Sequence, residues 1–320
     1  MPQGVSGTLR DVGEFAVLAA LASRFPQASD VVVGPGDDAA VVTIEGGELV
    51  ASLDMLVQGR HFRLDWSSAT DIGHKAAAQN LSDINAMGGR ATALLVGLGA
   101  PPELEVSWAM EFAEGLADEA AKVGASVVGG DLTRADVITV AITALGVCEQ
   151  KIVRRSGAHP GDVVAFAGRQ GWADAGFAVL GRGFRSPRVV VDAHRQPQPP
   201  YDAGPEAARL GATAMIDVSD GLLQDLGHVA SASGVAIDVE SARFDVPEPL
   251  QAVGAALGVD PKNFLLTGGD DYGLVAAFPS EAALPDNWRV IGAVLDDGER
   301  GAVTVDGAPY DGPTGHEHFR

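Results

Sequence analysis

Apolar and polar positions in the first 150 residues switch repeatedly between a helical period and strand-like runs. Phe15, Leu18, Ala19 and Leu21 fall at helical spacing within Leu9–Phe25. Two short strand-like runs, Ala39–Ile44 and Glu48–Asp54, follow, and Glu45-Gly46-Gly47 between them suits a hairpin turn. Thr70 or Asp71 can cap a helix that runs to Met87, where Gly88-Gly89 stops it. Asn80 and Asp83, three apart on that helix, share a face. The apolar run Ala91–Leu98 reads as a buried strand, followed by a helix over Glu103–Lys122. Strand Ala125–Val128 then enters Gly129-Gly130-Asp131, and strand Val137–Val147 closes the unit. This order predicts an α+β domain whose helices cover one sheet.

The pattern resets around Gln150–Pro160, which places a domain boundary near residue 150 and gives domains 1–150 and 151–320. Strands are expected at Val163–Ala167, Ala214–Val218, Val235–Glu240, Gly273–Phe278, Arg289–Val294 and Ala302–Val305. Helices are expected at Ala173–Leu180, Gly221–Ser231 and Leu250–Leu257, with Arg182–Pro200 as a surface loop. The second domain is thus a C-terminal α+β sandwich. The two halves have similar element content without a clear sequence repeat.

Composition narrows the function classes. The 320 residues carry a formal net charge of −21, which argues against general nucleic-acid binding. It does not argue against a nucleotide, because divalent ions can bridge carboxylates to phosphates. One cysteine, Cys148, excludes an intrachain disulfide framework and a cysteine-rich zinc site. No apolar run reaches the roughly 20 residues of a membrane helix, and the first residues lack a signal-peptide core. The expectation is a cytoplasmic enzyme.

Aspartates at Gly- or Ser-rich corners carry the chemical signal. Gly34-Pro35-Gly36 delivers Asp37-Asp38 to a strand start, and related corners recur at Asp54, Asp83, Gly129-Gly130-Asp131, Asp217-Val218-Ser219-Asp220 and Gly268-Gly269-Asp270-Asp271. Asp54, Asp131 and Asp217 are expected to end strands, and Asp83 to lie late on a helix. Carboxylates converging from such positions require cations, and Mg²⁺ suits all-oxygen ligands and keeps waters that reach phosphate. The histidines lack a zinc spacing. There is no P-loop and no protein-kinase signature. Several residues admit two readings. Arg155 is a polyphosphate partner or a solvated arginine. Ser219 and Asp220 are ligand contacts or N-caps of the helix at Gly221. His61 is a ligand contact or a packed histidine. Trp108, on a helix with Phe112, reads as core before adenine platform, and Asp225 as helix surface.

Together these motifs resemble the thiamine-monophosphate kinases, over nearly the whole chain. The carrying residues are Gly36-Asp37-Asp38-Ala39-Ala40, Ser52-Leu53-Asp54-Met55-Leu56-Val57, Gly59-Arg60-His61-Phe62, Lys75, Asn80-Leu81-Ser82-Asp83-Ile84 and Gly129-Gly130-Asp131-Leu132-Thr133-Arg134. Arg155-Ser156-Gly157, Asp217-Val218-Ser219-Asp220-Gly221-Leu222, Gly268-Gly269-Asp270-Asp271-Tyr272 and His318-Phe319 continue them. The resemblance implies the aminoimidazole-ribonucleotide-synthetase-like fold, a homodimer formed through the N-terminal sheet, and ATP bound between the domains. It implies ATP-dependent phosphorylation of thiamine monophosphate to thiamine diphosphate. Asp38, Ser52, Leu53 (by its carbonyl), Asp54, Asp83, Asp131, Asp217 and Asp220 match Mg²⁺ positions, with Asp54, Asp83, Asp131 and Asp217 central to catalysis. Trp108, Gly130, Asp131, Arg155 and Ser219 match nucleotide positions, and His61, Asp270 and His316 match acceptor positions. Four departures stand out: Asp270 replaces a usual Glu, Gly273 an acidic residue, His316 an aromatic ring, and Leu53 a frequent Thr. Other ATP-using synthetases of the superfamily, or a non-catalytic nucleotide or divalent-ion sensor, are the alternatives.

Overall fold

The computed structural model describes residues 7–12, 17, 20–21, 23–33, 41–43 and 49–316. The Asp37-Asp38 corner, the Glu45-Gly46-Gly47 turn and His318-Phe319 lie outside the described residues. The chain divides into two compact units, Met1–Ile84 with Arg90–Val147, and Asn85–Gly89 with Cys148–Arg320.

In the first unit, a short helix α1 (Leu9–Val12) and an antiparallel ribbon of β1 (Val31–Val33) and β2 (Val41–Val42) precede the main sheet. That sheet contains β3 (Leu49–Val57), β4 (Arg90–Ala100), β5 (Ser126–Arg134) and β6 (Thr139–Val147), in the order β3-β6-β4-β5. Among the described residues of this sheet, β4 and β5 run parallel and the other neighbouring pairs antiparallel. Two strands are longer than the sequence suggested, so Asp54 and Asp131 lie inside strands and do not end them. β3 keeps its register with β6 through Val57, which faces Thr139. β5 runs on through Gly129-Gly130 past a bulge, where Val128 is left over between the pairs Leu94–Val127 and Leu95–Gly129. Gly130 comes so close to β4 that a Cβ there would lie 2.0 Å from the Val96 carbonyl oxygen. Close strand pairing thus accounts for this glycine.

Helices α2 (Ala69–Ala86) and α3 (Val106–Ala121) touch backbone to backbone. A Cβ on Gly73 would meet the Phe112 carbonyl at 2.2 Å, and one on Gly115 the Thr70 carbonyl at 2.1 Å. The fully buried Glu119 on α3 receives His74 Nδ1 at 2.8 Å from α2 and Lys122 Nζ at 2.5 Å. Its charge is therefore neutralised where water cannot reach it. The contact fixes α2, which carries Asn80 and Asp83.

The second unit is built on one seven-stranded sheet. Its strands are β7 (Val163–Ala167), β8 (Ala214–Val218), β9 (Ala236–Val239), β10 (Gly273–Phe278), β11 (Trp288–Leu295), β12 (Val303–Val305) and β13 (Ala308–Pro309). They run in the order β13-β12-β9-β11-β7-β10-β8, antiparallel except for β12 beside β9. Its helices are α4 (Trp172–Gly181), α5 (Arg188–Arg195), α6 (Ala203–Arg209), α7 (Leu222–Ser233), α8 (Glu248–Leu257) and α9 (Lys262–Thr267). The stretch Arg182–Pro200 is not all loop: α5 buries Val190, Val191, Ala193 and His194 from within it. Proline and arginine on both sides hid that short face. Ala165, Ala167, Met215, Leu274, Ala276, Phe278 and Trp288 form one core cluster, with Phe278 and Trp288 edge to face at 5.1 Å. Burying a side chain of this size is worth about 1.5–3 kcal/mol. Among the described residues no helix is long and apolar enough to cross a membrane.

Candidate active site

Strand alternation sets the first unit's acidic corner. Ser52, Asp54 and Leu56 share the face of β3 turned toward α2, while Leu49, Leu53 and Met55 share the other. Ser52 Oγ donates to Asp83 Oδ2 at 2.5 Å. The Asp54 N–H donates to Asn80 Oδ1 at 2.9 Å, and Asn80 Nδ2 donates to the Ala76 carbonyl at 2.9 Å. Asn80, 1% exposed, therefore ties strand to helix and aligns Asp54 with Asp83. The Asp54 N–H points away from β6 to make this bond. The Leu53 carbonyl, across the same planar peptide, points the other way into the β3–β6 ladder. His61 Nδ1 accepts the Val57 N–H at 3.0 Å, which makes Nε2 the proton-bearing nitrogen of a neutral ring. Lys75, on α2, is buried.

Asp131 stands apart from this corner. Across the sheet it faces Gly97, then Ala141, then Met55, three strand spacings or about 14 Å from β3. It is exposed, as is Gly130. Trp108 stacks on Phe112 with ring centroids 5.6 Å apart, as its spacing on α3 suggested. Asp38 lies outside the described residues.

In the second unit two turns press together. Asp217 sits near the end of β8 and is buried. The Asp270 N–H donates to the Ser219 carbonyl at 2.9 Å, and a Cβ on Gly269 would lie 2.0 Å from that same oxygen. Asp270 has φ +66° and Tyr272 φ +54°, a left-handed kink forced by this approach. Tyr272 Oη donates to Asp270 Oδ1 at 3.2 Å. The tail joins them: the His316 N–H donates to the Asp220 carbonyl at 2.9 Å, and Gln224 Nε2 to the His316 carbonyl at 2.7 Å. The fold thus gathers Asp217, Ser219, Asp220, Asp270 and His316. Arg155 is exposed in a turn at the far end of α7, whose 12 residues span about 18 Å.

Three aspartates escaped the sequence reading or were misread there. Asp225 is not on the helix surface: it is 2% exposed, and its Oδ2 accepts the N–H groups of Ser219, Asp220 and Gly221, each at 3.1 Å. These bonds replace the cap expected from Ser219 or Asp220, for neither side chain caps α7. Burial pushes the Asp225 carboxyl up to about 7, against the pull of its three donors. Asp271, buried beside Asp270, accepts the Ala173 N–H at 3.1 Å at the start of α4, and burial pushes it up to about 7 as well. Burial, helped by the nearby Asp270 charge, raises Asp174 to about 6. The acid at Asp225, three residues into an apolar helical stretch, was the available signal for a reciprocal cap.

Residues 36–148 match the family model for the AIR synthase related protein, N-terminal domain, and residues 159–304 that for the C-terminal domain. The chain is 47% identical over 316 residues to thiamine-monophosphate kinase of Mycobacterium tuberculosis (strain ATCC 25618 / H37Rv), covering 98% of this chain and 94% of that protein. The chain belongs to the thiamine-monophosphate kinase family. Its likeness to the thiamine-monophosphate kinase of Corynebacterium glutamicum is 37% over 309 residues, covering 93% of this chain and 91% of that protein. Among solved structures, AaThiL complexed with AMPPCP and TMP superposes with a TM-score of 0.79 at 28% identity, covering 97% of this chain and 98% of the other. The fold described above is accordingly that of the thiamine-monophosphate kinases. Asp270 sits at a left-handed position, φ +66°, which aspartate tolerates better than most side chains.

Proposed function

We propose that the chain transfers the γ-phosphoryl group of ATP to thiamine monophosphate, giving thiamine diphosphate. The 47% identity to a thiamine-monophosphate kinase over nearly the whole chain carries the reading. The corner of Ser52, Asp54, Asn80 and Asp83 gives it a chemical basis. The acceptor is itself a phosphate, ionised at neutral pH, so no general base is needed. Catalysis then consists of positioning and charge neutralisation.

The donor chemistry fits Mg²⁺. Ser52, Asp54 and Asp83 offer only hard oxygen atoms, and Mg²⁺ takes one or two carboxylates together with waters and phosphate oxygens. Among the described residues no three acidic, histidine or cysteine side chains form a ready-made cage. We assign Asp38, Ser52, Asp54, Asp83, Asp131, Asp217 and Asp220 to several Mg²⁺ ions, and Leu53 through its carbonyl as the weakest member. Within one subunit Asp131 lies about 14 Å from β3, apart from Asp54. Mg²⁺, when bound, supplies the charge that offsets repulsion between the two anions.

Gly130, Asp131, Trp108, Ser219 and Arg155 are assigned to ATP. The length of α7 between Ser219 and Arg155 makes these two contact different parts of the nucleotide. His61, Asp270 and His316 are assigned to the acceptor, with Asp270 as counter-charge to the thiazolium. The first domain then supplies metal, nucleotide and dimer contacts, and the second completes the site.

A homodimer through the first unit's sheet is part of the reading. Leu49, Leu53 and Met55 on one face of β3 are 48%, 57% and 48% exposed, a large apolar surface for a lone subunit. Light scattering that finds only the 32.8 kDa species at micromolar concentration rejects the dimer. The activity is tested by incubating ATP and thiamine monophosphate with Mg²⁺ and the chain, then separating products; a cytoplasmic location is part of the same reading. Thiamine diphosphate and ADP in equal amounts are expected. Binding of both substrates with no thiamine diphosphate formed would favour a sensor.

A further inference from the structure

The turn that presents Arg155 is held by one hydroxyl from elsewhere in the second unit. Ser233, the last residue of α7, has its Oγ within 3.1 Å of the Gly157 nitrogen and 3.2 Å of the Ala158 nitrogen, accepting both N–H groups. The same hydroxyl donates to the Arg155 carbonyl at 3.2 Å. One side chain therefore closes three backbone groups of residues 155–158, which lack any ladder of their own. Two further contacts brace the turn. The Met215 N–H donates to the Arg154 carbonyl at 2.9 Å, tying it to the edge strand β8. Gly157, at φ +129°, approaches so closely that a Cβ would lie 2.4 Å from the Thr213 carbonyl oxygen.

α7 thus grips a turn at each end: Asp225 holds Ser219–Gly221 at its start, and Ser233 holds Arg155–Ala158 at its finish. The twelve-residue helix sets the spacing between them. We infer that Ser233 is a positioning residue for nucleotide binding, acting through Arg155 by fixing the turn that aims its guanidinium. This rests on the assignment of Arg155 to ATP made above. Ser233 does not itself touch the nucleotide. Losing its hydroxyl frees the turn to sample orientations in which Arg155 misses its target, a cost that falls on ATP and spares the acceptor.

The test compares Ser233→Ala, Ser233→Thr, Arg155→Ala and the Ser233→Ala/Arg155→Ala double variant, all in the full chain. Steady-state kinetics vary ATP and thiamine monophosphate in turn, and trypsin cleavage after Arg154 and Arg155 is followed separately. Ser233→Ala should raise the KM for ATP about tenfold, the scale of a lost multiple hydrogen bond, with the acceptor KM within twofold. Trypsin should cut the turn several times faster, and Ser233→Thr, which keeps a hydroxyl, should restore both. The double variant should be no worse than Arg155→Ala, because the two act as a unit. If Arg155→Ala raises the ATP KM but Ser233→Ala changes neither that KM nor the cleavage rate, the inference is overturned while the nucleotide role of Arg155 stands. Additive effects in the double variant also overturn it. If Arg155→Ala leaves the ATP KM unchanged, the assignment of Arg155 to ATP fails and the inference falls with it.

Discussion

The two acidic corners are built on opposite plans. In the first unit, Ser52 and Asp54 ride on a strand and Asp83 on a helix, so regular hydrogen bonding has already satisfied most of the backbone around them. Their placement needs one side-chain tie, Asn80 to the Asp54 N–H. In the second unit the site is built from turns at Ser219–Gly221 and Gly268–Tyr272, whose backbone N–H groups need partners, and aspartates supply them. Asp225 takes three N–H groups and Asp271 takes that of Ala173. The difference shows that an aspartate's neighbours in sequence do not reveal its task. An acid whose oxygens accept buried N–H groups, as Asp225 does from within α7, maintains the fold, while Asp83 on α2 accepts a side-chain hydroxyl instead.

The largest effect that would break this contrast is expected at Asp225. Asp225→Ala leaves three N–H groups without their acceptor, at a cost of about 1–3 kcal/mol for each group that stays dry. Chemical denaturation should show a loss on the order of 4 kcal/mol, shared between the three. A loss below about 1 kcal/mol would mean that the turn does not depend on this carboxylate.

A smaller effect is expected at Asp174. Its carboxyl titrates near 6 when folded, from burial and the Asp270 charge, against an ordinary value near 3.8. The folded state therefore holds a proton that the unfolded chain releases. Stability from this group is present below about pH 4, declines as pH rises to about 6, and is level above that. The span is about 2 kcal/mol, rounded down because the group is partly exposed. Asp174→Asn should flatten that part of the stability-against-pH curve. An unchanged slope would remove Asp174 from the acidic group.

How much of this was legible in the sequence follows from the same contrast. The strands and long helices were readable because period and burial agree: β6 alternates strictly and β10 is apolar throughout. Asp54, Asn80 and Asp83 were readable for the same reason, since a strand face and a helix spacing bring them together. Asp271 and Ser233 were not, and Asp225 offered only an acid near a helix start. Their partners are backbone groups, which leave no trace in residue type, and for Asp271 and Ser233 these lie 98 and 75 to 78 positions away. The short helix α5 was hidden because its flanking arginines and prolines outweigh a four-residue buried face. Strand ends were misplaced at Asp54 and Asp131 because glycine and aspartate are turn residues wherever no neighbouring strand demands them.

Asp83→Asn, set beside the unchanged chain, tests the metal corner through thiamine diphosphate formation and melting temperature across a Mg²⁺ titration. The substitution keeps the shape and an oxygen for the Ser52 hydroxyl while removing the charge. Turnover should fall by at least about 100-fold at every Mg²⁺ concentration, the scale of a lost electrostatic contact in the transition state, with the melting temperature held or slightly raised as repulsion is relieved. Near-normal turnover at saturating Mg²⁺ would contradict the assignment of Asp83 to the metal, and a collapsed melting temperature would place Asp83 with Asp225 among the residues that hold the fold.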